Sequence, residues 1–237
     1  GTSEGINLCW DKPHARDPRL LFMPHVVAPY ENISGVISAT GRAVSWFMGI
    51  EGLGAADHQG FFEAAAAAPA GADKLLFLPY LAGERAPLWD PEARGAFIGL
   101  SLKHGRREMA RAVAESAGFA MRDVIGVMES LGASVDDLRV TGQPAGNAVW
   151  NQIKADIVQK PIRVPAFGEA ELMGDLCFAL AALGDYGSAA EAAERLVAFS
   201  RTFEPDVSLG SLYDGLFALY RESYRGLKPV FGGLAAL

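Results

Sequence analysis

Val140-Thr141-Gly142-Gln143-Pro144-Ala145-Gly146-Asn147 sets small, turn-forming residues between a short β run and a helical pattern. Residues 137–141 read as strand, and from Asn147 the apolar period becomes helical, with Trp150, Ile153 and Ile157 on one stripe. A turn of this kind lets a flat or anionic ligand approach the backbone. Free N–H groups and the positive dipole end at the helix start favour phosphate there. Ser38-Ala39-Thr40-Gly41 repeats the pattern, joining a strand over 33–38 to a helix over 41–50 with Val44, Phe47 and Met48 in phase. Gly1-Thr2-Ser3-Glu4-Gly5 feeds an alternating strand over 6–10. Its hydroxyls and flexible amides could cradle phosphate oxygens, or the segment could be a frayed terminus.

Other chemistries find no support. The chain has no GxxxxGK[ST], no GxGxxG after a strand, no HExxH and no GxSxG. His14, His25, His58 and His104 stand apart, without metal-ligand spacing. The net charge of −7 comes with dispersed basic residues, which argues against nucleic acid or an anionic membrane as partner. Cys9 and Cys177 read as two reduced core thiols of a cytoplasmic protein. No apolar run is long enough to cross a bilayer, and no signal peptide is expected.

The elements that must position these turns alternate between strand and helix. Half of the 237 residues are apolar, enough for a sizeable core. An alanine-rich helix spans 59–68 and ends before Pro69 and Gly71. Residues 74–81 form a continuous apolar run suited to a buried strand, with Pro79 marking its exit. The polar segment over 82–95, carrying Glu84, Arg85, Asp90 and Arg94, is either functional or a clasp knitted by ion pairs. A long helix over 106–131 carries Met109, Val113, Ala117, Ala120, Val124, Val127 and Leu131 at helical steps. It exposes Arg106, Arg107 and Arg111 on a solvated face. Residues 161–165 form a strand; 169–183, 188–199 and 212–227 form helices, the last with Leu212, Leu216, Leu219 and Tyr220 inward. The tail Phe231-Gly232-Gly233-Leu234 either docks on its own domain or contacts a second copy in a homodimer. The alternation argues an α/β protein with helices on both sheet faces.

Four blocks in order resemble the C-terminal half of the FGGY carbohydrate kinases. They are Gly1-Thr2-Ser3; Ser38-Ala39-Thr40-Gly41-Arg42-Ala43-Val44-Ser45-Trp46-Phe47; Leu76-Phe77-Leu78-Pro79-Tyr80-Leu81-Ala82-Gly83-Glu84-Arg85-Ala86-Pro87 with Asp90 and Ala93-Arg94-Gly95; and Val140-Thr141-Gly142. The third block most resembles xylulokinases and gluconokinases. The resemblance implies a single domain over 1–237 with the ribonuclease-H-like, actin-type ATPase fold, a mixed sheet with helices on both faces. That domain would bind ATP with Mg²⁺ opposite an N-terminal domain holding the sugar and the aspartate base. By matching position, Gly1 and Thr2 would meet the terminal phosphate, Gly41 and Ser45 the nucleotide near its phosphates and ribose, and Gly142, Gln143 and Asn147 the adenosine. No Asp or Glu here matches the base, so the isolated domain is expected to be inactive. The family usually shows Gly-Gly-Gly-Ala or Gly-Gly-x-Ala after the strand, whereas this chain has Gly142-Gln143-Pro144-Ala145. Gln143 adds a side chain beside the purine and Pro144 removes a donor, so the alternatives to a kinase for a ketopentose such as xylulose are a kinase for gluconate or another sugar or polyol and a non-catalytic actin-like module with a decayed nucleotide site.

Overall fold

Glu4–Trp10 (β1), Leu21–Pro24 (β2) and Glu31–Ile37 (β3) form an antiparallel sheet in the order β1-β3-β2. The structure, a computed structural model, describes residues 3–12, 14–52, 54 and 57–237, with Gln143 and Pro144 described by their backbone alone. Glu4 lies opposite Ile37 and Trp10 opposite Glu31. The turn that leaves β3 at residue 38 therefore adjoins the start of β1. β1 alternates half-buried and exposed residues, as an edge strand with one covered face should, while β3, in the centre, is buried over most of its length. Gly35 in β3 is required by contact: a Cβ there would lie 2.3 Å from Val124 Cγ1.

Seven helices accompany eight strands among the described residues. Thr40–Ile50 (α1) and His58–Ala67 (α2) follow the first sheet, and Leu76–Leu78 (β4) pairs antiparallel with Ala96–Ile98 (β5). Arg106–Ser130 (α3) is the central helix. Its first half packs in one apolar cluster with α1, α2 and β4, its second half in another with the first sheet. Leu138–Arg139 (β6) pairs parallel with Ile162–Pro165 (β7), which pairs antiparallel with Phe199–Phe203 (β8). Ala148–Val158 (α4) crosses α3 closely: a Cβ at Gly118 would sit 2.7 Å from Ile157 Cδ1. Ala170–Leu183 (α5) and Ala189–Leu196 (α6) form a hairpin, and Gly210–Ala235 (α7) closes the first cluster with Tyr213, Leu216, Tyr220, Tyr224 and Phe231. Each fully buried ring of the Phe61, Phe77 and Phe119 kind contributes about 1.5–3 kcal/mol.

Several expectations shift, each for a physical reason. The strand expected over 74–81 shrinks to three residues. Ala72, Asp73 and Lys74 take positive φ in a 3-10 turn before it, and Pro79 cannot donate after it. The helix expected over 188–199 ends at Leu196, because Phe199–Phe203 pairs with β7. Arg111 is not on a solvated face: it is buried and donates to Glu115 Oε1 at 2.6 Å and to the Tyr213 hydroxyl at 2.9 Å. Burial pushes the Glu115 carboxyl above its ordinary range against the opposing pull of Arg111. Cys9 is exposed and only Cys177 is a core thiol. Leu212 and Leu219 face outward, and the inward stripe of α7 is largely tyrosine. The tail docks through Phe231, which is buried, while Leu234 is exposed. No helix among the described residues is long and apolar enough to cross a membrane.

Candidate functional site

The start of β1 is the point to which two of the three small-residue turns are tied. Ser3, Glu4 and Gly5 share a cavity of about 730 Å³ with Thr141 and Gly142; Lys154, Arg139 and Met121 also line it. Glu4 reaches across to α4, where its Oε1 lies 2.5 Å from Lys154 Nζ. The Lys154 side chain is 1% exposed, and its ammonium lies 4.2 Å from the centroid of the Trp150 ring. The turn over 38–41 approaches the same strand start from the other side through the Glu4–Ile37 register, though no residue of it lines the cavity.

Each turn has its own chemistry. Gly142 takes φ +75°, a conformation that glycine adopts without strain, and is exposed with Thr141. Residues 143–146 continue as a 3-10 turn, whose Ala145 carbonyl accepts from Asn151 Nδ2 at 3.0 Å. Asn147 caps α4: its Oδ1 accepts the Trp150 N–H at 2.8 Å. The N-terminus of α4 thus supplies its own acceptor and is less open to phosphate than its position promised.

The start of α1 differs. Its N-cap residue is Ala39, no side chain among the described residues accepts from its first amides, and its first turn has no acidic residue. Asp57, Asn147 and Ser188 cap α2, α4 and α6, and Glu108 closes the start of α3, while α5 and α7, like α1, begin without a side-chain cap. The free amides at the start of an 11-residue helix, with Gly41 half-buried in its first turn and Ser45 exposed one turn on, suit an anionic oxygen.

Gly1 and Thr2 lie outside the described residues, as does the side chain of Gln143. Among the described residues no three His, Cys, Asp or Glu side chains gather as a metal cage. Sequence reasoning missed Lys154 and Glu4. The signal was present for Lys154, which falls four residues after Trp150 and so on the buried stripe of α4. It also left open the segment over 82–95, which closes on itself in the structure. Glu84 and Asp90 exchange backbone hydrogen bonds at 2.9 Å, and Asp90 Oδ2 accepts the Tyr224 hydroxyl at 2.6 Å. Burial raises the Asp90 carboxyl, but the Tyr224 and Glu92 hydrogen bonds outweigh it and hold it below its ordinary range.

An antiparallel opening sheet, a long helix laid on it and a parallel pair beyond form an actin-like ATPase domain, a fold shared with solved sugar kinases. The xylulose kinase from Rhodospirillum rubrum superposes with a TM-score of 0.87 at 30% identity, over 98% of this chain and 47% of that one. The chain belongs to the FGGY family of carbohydrate kinases, as the family's C-terminal domain, whose model matches residues 1–183. The xylulose kinase of Staphylococcus epidermidis is 29% identical over 241 residues, 98% of this chain and 47% of the relative. The gluconokinase of Bacillus subtilis is 32% identical over 198 residues, covering 79% of this chain and 39% of the relative. The chain spans about half the length of the curated relatives it matches.

Proposed function

We propose that this chain is the nucleotide-binding half of an ATP-dependent sugar kinase that transfers the γ-phosphoryl group of Mg²⁺-ATP to a hydroxyl of a ketopentose such as xylulose. The observation that carries the reading is the arrangement around the start of β1. A helix with unclaimed amides lies on one side and a glycine turn in the left-handed region on the other, in a chain of the carbohydrate kinase family. In this reading Gly1 and Thr2 meet the terminal phosphate, Gly41 and Ser45 hold the nucleotide near its phosphates and ribose, and Gly142, Gln143 and Asn147 flank the adenosine. Phosphoryl transfer needs little covalent chemistry from protein, so this half contributes position and charge stabilisation. The sugar and the base that takes its hydroxyl proton belong to a partner half.

A gluconate kinase is the second reading, supported by the likeness to the Bacillus subtilis gluconokinase. The test assays the longer protein that carries this chain against pentuloses, hexuloses, gluconate and polyols. ATP consumption with a pentulose is expected; consumption with gluconate alone selects the second reading. No consumption above background with any acceptor refutes both.

A further inference from the structure

The clasp over 84–90 does more than close on itself. Ala86 donates its N–H to the Val36 carbonyl at 3.1 Å, extending the pairing of β3 by one bond. At the next free donor of that edge the clasp supplies a side chain. Glu84 Oε1 accepts the Ser38 N–H at 2.7 Å and the Arg85 N–H at 2.8 Å, and Arg85 Nε donates back to Ser38 Oγ at 3.3 Å. Two residues beyond Ser38 begins α1, with its uncapped amides. Glu84 is 5% exposed, and its Oε2 is buried with no hydrogen-bond partner among the described residues. Burial accordingly raises its carboxyl above the ordinary range. A buried carboxylate with one oxygen unpaired costs stability, and apolar residues could close a loop without that cost. What the carboxylate supplies and an apolar residue cannot is a fixed direction for the Ser38 amide. The far end of the clasp is anchored separately, by Tyr224 of α7 on Asp90.

We propose that Glu84 is a positioning residue of the nucleotide site: by holding the Ser38 N–H it sets the path of the 38–41 turn and so the aim of the free amides of α1. This rests on the proposed nucleotide-binding function. The test titrates the 237-residue chain with Mg²⁺-ADP by calorimetry and melts each variant in parallel. Glu84→Gln keeps an acceptor at the same place and should bind within about twofold of wild type; Glu84→Ala loses a charge-assisted hydrogen bond and should bind about tenfold or more weakly. Tyr224→Phe loosens the clasp without touching Ser38; its melting point should fall while its affinity holds. The Ser38 amide proton should stay downfield in wild type and Glu84→Gln and move upfield in Glu84→Ala, a readout that needs no nucleotide. Should Glu84→Ala fail to fold, Glu84→Asp, one methylene too short to reach Ser38, takes its place with the same expectation. Wild-type affinity in Glu84→Ala or Glu84→Asp overturns the positioning role alone, as does a loss of affinity in Tyr224→Phe matching that of Glu84→Ala. A wild-type chain that binds no nucleotide overturns the parent reading and this role with it.

Discussion

Glu4→Gln tests how the start of β1 is held to α4. Breaking a buried ion pair by removing one partner typically costs about 3–5 kcal/mol, because the other charge stays buried and uncompensated. Two features of this pair lower the figure. Glu4 is 16% exposed and faces a cavity large enough for water. The Lys154 ammonium also keeps its place over the Trp150 ring, worth up to about 2 kcal/mol when desolvated. The glutamine oxygen can still accept one hydrogen bond, so the expected loss is about 2 kcal/mol, with a fall in melting temperature of roughly 4–8 °C for a chain of this size. Lys154→Met removes the buried charge itself and leaves a linear apolar side chain against Trp150, while Glu4 turns toward solvent; its cost should be smaller, about 1 kcal/mol. Urea unfolding followed by circular dichroism gives both numbers, and unchanged m-values would locate the effect in stability. The reasoning fails if Lys154→Met costs more than Glu4→Gln, for then the cation is not the expensive partner.

Two further outcomes follow from packing and burial. Gly118→Ala gains about 1 kcal/mol of helix propensity, but its Cβ would stand 3.1 Å from Ile157 Cβ, an atom fixed to the α4 backbone. Overpacking of about 1–3 kcal/mol should win; Ile157→Ala in the same chain removes the Cδ1 and Cγ2 contacts but keeps Cβ, so it should relieve the clash only in part, and a stabilised single variant would contradict the contact. Arg111→Met leaves Glu115 buried without its cation, raising further a carboxyl that is already raised. A raised folded-state value means that the folded chain retains its proton after the unfolded chain has lost it. The stability that this group contributes is therefore full below about pH 4.3 and is lost as pH rises toward the folded value. Melting temperatures from pH 4.5 to 8 should fall more steeply for Arg111→Met than for wild type, and parallel profiles would refute the coupling.

Much of this fold was legible because its long helices carry clear apolar periods. Trp150, Ile153 and Ile157 are buried as their spacing requires, and α3 begins where its apolar steps begin. What escaped was short or paired at a distance. Leu21–Pro24 and Ala96–Ile98 are strands only because β3 and β4 lie beside them, and Phe199–Phe203 alternates too weakly to announce itself. Arg111 escaped because a charged residue on a helix reads as exposed unless its buried partners, Glu115 one turn on and Tyr213 far along the chain, are known. The turns of the candidate site were legible as small residues between strand and helix. That α4 caps itself with Asn147 whereas α1 caps itself with nothing is a matter of side-chain geometry that spacing does not carry.

The most direct test is calorimetric titration of the chain with Mg²⁺-ATP and Mg²⁺-ADP beside Gly142→Val, a substitution that forces a β-branched side chain into φ +75° at the edge of the cavity. Weak, saturable 1:1 binding to wild type, lost in a Gly142→Val chain that remains folded, is the expected result. No heat with either nucleotide, or equal heat from both chains, would contradict the nucleotide site at the start of β1.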